Sequence, residues 1–161
     1  MIGKRILDIY LIASDRVYVW IRLLCKALLI IMIVSVSYAV FGRFVLKSTP
    51  KWCEEISLLC MVWTCFLSAA LAIKDDCHVR MTVSTYLFPE KICKKLHIFA
   101  YLVLILINMV WVIWGFKLIL LSKAARMAST QLPMACLYGA AAVSGLVGVL
   151  MSAARIIRGN W

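Results

Sequence analysis

Four long runs of apolar residues, with no charge in the middle of any of them, limit what this chain can fold into. They cover residues 27–46, 56–73, 96–121 and 134–154. Crossing ~30 Å of hydrocarbon takes about 20 residues of helix, and a backbone in lipid must satisfy its own hydrogen bonds. We therefore predict an all-α integral membrane protein, with four transmembrane helices in a single domain over residues 1–161.

The composition agrees with a chain embedded in a membrane. Apolar residues make up 65% of the sequence and the mean hydropathy is +1.00, whereas a soluble domain has roughly 45–50% apolar residues. A net charge of +11 would suggest nucleic-acid binding on a soluble protein. Here the basic residues flank the apolar runs, where they meet anionic headgroups. We therefore expect the lipid bilayer as a partner, and no nucleic acid.

Residues 1–22 differ from the runs that follow, because their charges share one side of a helix. At 100° per residue, six charged side chains fall within about 120°: Lys4, Arg5, Asp8, Asp15, Arg16 and Arg22. This pattern predicts an amphipathic helix lying at the membrane interface before the first span. The alternative is a frayed basic tail. A cleaved signal peptide is not expected, because Asp8 interrupts the apolar stretch that it would need.

Basic residues are unequally divided between the two sides of the predicted membrane. Four spans place both termini and the middle loop on one side, with twelve Lys and Arg residues against six on the other. This excess predicts cytoplasmic termini. Between Lys74 and Pro89 we expect a short interfacial segment, and at Ser129–Pro133 the outer turn before the last span.

The sequence offers no obvious catalytic constellation. Its seven cysteines are scattered through or beside apolar segments, with no Cys-x-x-Cys pair and no zinc spacing. We expect free thiols, and no metal or cofactor. None of the seven acids lies within a span, where proton and ion pathways place them. These patterns favour a non-catalytic part of a larger assembly; the alternatives are a membrane enzyme and a free-standing, self-assembling small channel or exporter.

The last two spans carry residues that predict helix packing. Ala140, Ser144, Gly148 and Ser152 recur at intervals of four, which lets another helix approach closely. That helix belongs either to this chain or to another subunit. Asn108 lies in the middle of the third span and is expected to form a hydrogen bond between helices.

The second span opens with a defined start and continues as a longer pattern. Thr49 and Pro50 suit the cap and the first helical position, and Glu54 and Glu55 lie near the positive end of the helix dipole. The pattern continues with Trp63, Phe66–Leu67, Ala69, Ala72 and His78–Val79. A second pattern, Leu132–Pro133 followed by Tyr138, opens the last span.

These two patterns resemble the signature of the small membrane subunit of tripartite ATP-independent periplasmic (TRAP) transporters, the DctQ-like family. In that family an acidic pair opens the second helix, a Trp-x-x-Phe-[Leu/Ile]-Gly-Ala run follows, and a His-Val pair lies just past its cytoplasmic end. The last span begins with Leu-x-[Leu/Ile]-Pro…Tyr. Ser68 stands where the family usually has Gly. Length, helix count and topology agree, so the resemblance covers nearly the whole chain.

The resemblance implies a division of labour in the bacterial inner membrane. A periplasmic binding protein would capture an organic acid, and a large elevator-type subunit would move it with sodium. The small subunit would scaffold the large one and help to dock the binding protein. Sodium coupling would then belong to the large subunit, with no cofactor in this chain.

The candidate motif or partner-interface residues are Glu54, Glu55, Trp63, Phe66, His78 and Pro133. The two carboxylates either pair with basic groups of a partner or remain solvated at the start of the helix. Trp63 is expected to pack between helices or between subunits.

Overall fold

The computed structural model describes residues 2–45, 47, 50–75 and 90–158, and these residues form four α-helices. The helices are α1 (Ile2–Phe44), α2 (Lys51–Lys74), α3 (Glu90–Leu121) and α4 (Ala135–Arg158). All four are long and apolar enough to cross a membrane, which confirms the predicted all-α membrane fold. His78 and the predicted interfacial segment before Pro89 lie outside the described residues.

The N-terminal segment is helical, but it is continuous with the first span and not separate from it. α1 has 43 residues, which gives a length of about 64 Å against ~30 Å of hydrocarbon. Its side chains Val17, Tyr18 and Ile21 pack against the core of the other helices, and the Tyr10 hydroxyl donates a hydrogen bond to the Leu150 carbonyl over 2.8 Å. These contacts explain why the helix continues instead of breaking before the span.

The helices neighbour one another in the order α1, α2, α4, α3. α1 and α2 pack as an antiparallel pair, as do α3 and α4, while α2 and α4 run side by side in the same direction. α1 meets α4 only over a short stretch, and in the described part of the chain α3 does not pack along α1. The array is therefore open, with α1 and α3 at its edges.

Small residues allow α3 to pack closely on α4. Ala140, Ala141, Ser144 and Ser152 are buried, and a Cβ on Gly115 of α3 would lie 2.8 Å from the Ala142 nitrogen. The helix that the small-residue stripe admits therefore belongs to this chain. The prediction for Asn108 was wrong in one respect: its side-chain amide donates within α3, to the Leu104 carbonyl at 2.7 Å.

All four helices converge at the end that the charge count predicts to be cytoplasmic. Ala70, Ile73, Tyr101, Val147 and Met151 form the buried cluster there. Beside it, polar side chains join the ends of α1 and α2. The Lys74 ammonium lies 2.6 Å from the Asp15 carboxylate, and the Tyr18 hydroxyl donates to Asp75 over 2.8 Å.

Candidate functional site at the start of α2 and α4

Glu55, in the first turns of α2, holds the loop that precedes α4. Its carboxylate accepts hydrogen bonds from the backbone N–H groups of Ser129 and Thr130 and from the Thr130 hydroxyl, each over 2.7 Å. An ionised carboxylate has enough lone pairs for all three, and such charge-assisted bonds are the strong ones. Glu55 therefore fastens this loop to α2.

The loop itself, residues 122–134, folds back as a short hairpin. The Met127 N–H donates to the Leu132 carbonyl, and the Met134 N–H donates to the Ala125 carbonyl, both over 2.9 Å. Pro133, which has no N–H, contributes its carbonyl to the Cys136 N–H over 3.0 Å at the start of α4. The outer turn predicted at Ser129–Pro133 is the tip and return arm of this hairpin.

Trp63 makes the second connection between α2 and α4. Its indole N–H donates to the Cys136 carbonyl over 3.0 Å, and its ring would lie 3.9 Å from a Cβ on Gly139. A Cβ at this position would be in ordinary van der Waals contact with the indole, which lies against the start of α4. Within the described residues, Trp63 therefore packs between α2 and α4.

Phe66 connects α2 to α3. Its ring meets that of Trp111 edge to face, with centroids 5.1 Å apart, an arrangement that aromatic pairs prefer. Both rings line a groove of about 220 Å³ bounded by α2, α3 and α4, with Asn108 and Ser144 among its other lining residues.

Glu54 and Glu55 have different surroundings although they are adjacent. The Glu54 side chain is exposed, and in the described part of the chain it forms no hydrogen bond or ion pair. It lies instead beside Arg43 of α1, in a groove between α1 and α2. Of the acidic pair, Glu55 is therefore used in a contact within the chain, whereas Glu54 lies on an open surface.

The structure therefore brings together three of the six candidate residues. Glu55, Trp63 and Pro133 share one end of the α2–α4 interface, Phe66 lies one turn beyond Trp63, and Glu54 faces away. Sequence reasoning missed Ser129 and Thr130, which complete the Glu55 contact. The signal available was their place in a predicted turn, where backbone N–H groups need acceptors.

This end of the array carries more basic than acidic side chains. The exposed cations on the described residues here are Arg43, Lys47, Lys51, Lys117, Lys123 and Arg126. Glu54 and Glu55 lie among them, so the surface is cationic with one carboxylate free to meet a ligand and one committed to the loop.

The four apolar helices define a multi-pass membrane protein, and its signature residues Glu55 and Trp63 join the second helix to the fourth helix and the loop before it. The chain belongs to the DctQ family: residues 32–160 match the family model described as "Tripartite ATP-independent periplasmic transporters, DctQ component". It is a small permease component of a TRAP transporter, as the resemblance implied. A search of curated proteins gave no match.

Proposed function

We propose that this chain is the small permease subunit of a sodium-driven TRAP transporter for organic acids in the bacterial inner membrane. It scaffolds a large elevator-type subunit and helps to dock a periplasmic binding protein. Family membership supplies the tripartite setting. The scaffolding role rests on one structural observation, the uneven burial of the four helices.

Few residues in the apolar stretches of the two edge helices, α1 and α3, are buried by the rest of the chain. Half of the most apolar stretch of α4 is buried, against 6% for α1 and 11% for α3. An apolar face of this size must be covered by lipid or by another membrane protein. α4 is held in the middle of the array, and α1 and α3 each present a broad apolar face outward. This arrangement suits a scaffold, because the two outer faces can contact a large partner without any change in the packing around α4.

The docking role is assigned to the loop 122–134. The basic-residue count predicts cytoplasmic termini, and on that topology this loop faces the periplasm. Glu55, Trp63 and Pro133 shape it through internal contacts, and Lys123 and Arg126 are exposed on it. A cationic loop with a fixed conformation favours encounter with an acidic protein surface. The motif residues thus act on the binding protein through the shape of the loop and not by pairing with it directly.

Reconstitution tests the transport role. The chain, its large subunit and their binding protein are combined in proteoliposomes, and uptake of a labelled organic acid is followed with and without an inward sodium gradient. We expect uptake only when all three proteins and the gradient are present. Uptake by this chain alone, as a homo-oligomer, would instead support the free-standing channel or exporter.

Photo-crosslinking tests the scaffold. A photoreactive residue is placed at Val34 on α1 or at Ile113 on α3, whose side chains are 62% and 65% exposed. A third variant carries it at Leu67, which is 1% exposed and serves as the buried control. At least one edge helix should crosslink to the large subunit and Leu67 should not. Crosslinks to lipid alone from both edges would contradict the scaffold.

A further inference from the structure

A groove between α1 and α2, at the end that carries the outer loop, holds two opposite charges that do not meet. It has a volume of about 190 Å³, and its lining includes Val36, Ala39, Val40, Arg43, Cys53 and Glu54. Arg43 and Glu54 are both exposed, and within the described residues neither forms an ion pair or a side-chain hydrogen bond. The groove thus offers one free cation and one free anion at the edge of an apolar floor.

The position of the two charges matches the headgroup level of a bilayer. Arg43 is the penultimate residue of α1 and Glu54 lies in the first turn of α2. Near the same helix ends, the rings of Tyr38 and Trp52 lie 5.8 Å apart, and both are exposed. Tyrosine and tryptophan concentrate at membrane–water interfaces. The charges therefore lie where headgroups lie.

An apolar stripe leads from these charges toward the centre of the membrane. Val40 lies three residues before Arg43, and Val36 lies seven residues before Arg43. All three residues therefore share one face of α1. Val36 is 46% exposed and Val40 is 50% exposed, which leaves the stripe accessible from the lipid side. The groove is smaller than the ~300–1,000 Å³ of an enclosed ligand pocket. It is therefore an open groove along which a ligand can lie, and not an enclosed pocket.

We propose that this groove binds one phospholipid whose headgroup carries a primary ammonium group, as in phosphatidylethanolamine. The phosphate lies against the Arg43 guanidinium, whose planar fork suits bidentate contact with phosphate oxygens. The ammonium group donates to the Glu54 carboxylate, and an acyl chain follows Val40 and Val36. The contacts to Arg43 and Glu54 satisfy two charges that are unpaired within the described residues.

The chemistry of the headgroup gives the site a preference. A primary ammonium carries three N–H donors, whereas a quaternary choline has none to offer Glu54. A glycerol headgroup has no cation and leaves the carboxylate beside the lipid phosphate, which is also negative. Arg43 therefore supports binding of any phospholipid, and Glu54 selects among headgroups.

Native mass spectrometry of the delipidated full-length chain tests this assignment. Phosphatidylethanolamine, phosphatidylcholine and phosphatidylglycerol with identical acyl chains are added in turn. We expect one phosphatidylethanolamine per chain, bound about tenfold more tightly than the other two, a difference of about 1.4 kcal/mol. Glu54→Gln should abolish the preference while leaving binding of all three. Arg43→Gln should weaken all three about tenfold, and Lys123→Gln, on the outer loop, should change nothing.

Two further measurements keep the result interpretable. The first is the melting curve of each variant, monitored by tryptophan fluorescence, which shows whether the variant is folded. The second uses Ala39→Phe, which fills the groove without altering either charge and should displace the lipid. Glu54→Gln that keeps the wild-type preference, or Arg43→Gln that behaves like Lys123→Gln, would overturn the proposal. So would loss of the lipid when the large subunit binds, because a protein side chain would then occupy the groove.

Discussion

The side-chain amide of Asn108 occupies the space that a Cβ on Gly148 would need. Its rotamer is fixed by the 2.7 Å hydrogen bond to the Leu104 carbonyl. One turn away, a Cβ on Gly145 would come within 2.9 Å of the Val112 side chain. The contact between α3 and α4 therefore depends on the absence of a side chain at two successive turns of α4.

Gly148→Ala should destabilise the folded chain, because the new methyl group forces either the Asn108 side chain or α4 itself to move. Overpacking of this kind typically costs about 1–3 kcal/mol. The melting temperature in detergent measures the loss. Gly139→Ala is the matched control, since a Cβ there meets Trp63 at an ordinary 3.9 Å and should change little.

Asn108→Ala combined with Gly148→Ala should recover part of that stability, because the clashing amide is removed. We expect a coupling of about 0.5–3 kcal/mol between the two positions in a double-mutant cycle. Additive effects, or equal melting temperatures for Gly148→Ala and Gly139→Ala, would show that the two helices adjust freely at this point.

Glu55→Gln and Glu54→Gln should separate the two members of the acidic pair. Loss of the Glu55 charge weakens three hydrogen bonds to the loop, so the loop opens more often. Trypsin cleavage after Lys123 and Arg126 should then be faster, since cleavage of a transiently open segment follows its population. Glu54→Gln should leave cleavage unchanged.

Uptake by the reconstituted transporter provides a second comparison for the same variants. If loop shape serves docking, Glu55→Gln should reduce uptake at low concentrations of the binding protein more than at saturation. Thr130→Val, which removes the hydroxyl donor but keeps the backbone bond, should be intermediate. Normal cleavage together with reduced uptake in Glu54→Gln would indicate instead that this carboxylate pairs with a partner.

The chain termini should lie in the cytoplasm. The Glu55 contact places the starts of α2 and α4 at one end, and this end carries the smaller share of basic residues, six against twelve. A reporter that fluoresces only in the cytoplasm should be bright when fused after Trp161. A dark fusion, with an active periplasmic reporter at the same position, would reverse the orientation or remove a span.

The cysteines should all be free thiols. Five of the cysteines are free in the structure: Cys25, Cys53, Cys60, Cys65 and Cys136. The side chains of Cys77 and Cys93 lie outside the described part of the chain. Titration of the denatured protein without reductant should therefore give seven thiols per chain. A value lower by two would establish a disulfide.

Hydropathy alone could predict the four helices, because lipid leaves a long apolar segment no alternative to helix. It could not predict that residues 2–22 continue the first helix. Charges in that segment predict an interfacial position, but Tyr10, Val17 and Tyr18 find partners on α2 and α4. Asp15 is likewise paired with Lys74. Such tertiary contacts depend on where other helices end, which a local pattern does not record.

The candidate site was predictable in part as a set of residues, without Ser129 and Thr130, but not as an arrangement. The acidic pair and Trp63 could be read from the second span, and Pro133 from the last. Their contact depends on α2 and α4 being parallel neighbours, which follows from no local feature of either helix. Glu54 and Glu55 have different surroundings because successive side chains of a helix point about 100° apart. Which of the two faces α4 depends on how α2 is rotated about its own axis.

The adjacency of α2 and α4 also fixes an order of events during synthesis. The hydrogen bond from the Trp63 indole cannot form until Cys136 has emerged from the ribosome, 73 residues later. At about 5–20 residues per second, this takes about 4–15 s. During that interval the first hairpin stays in the bilayer with its α4-facing side covered only by lipid or by the insertion machinery. The hydrogen bond that joins α2 to α4 can therefore form only after the second hairpin has entered the membrane, which makes this contact a late step in the folding of the chain.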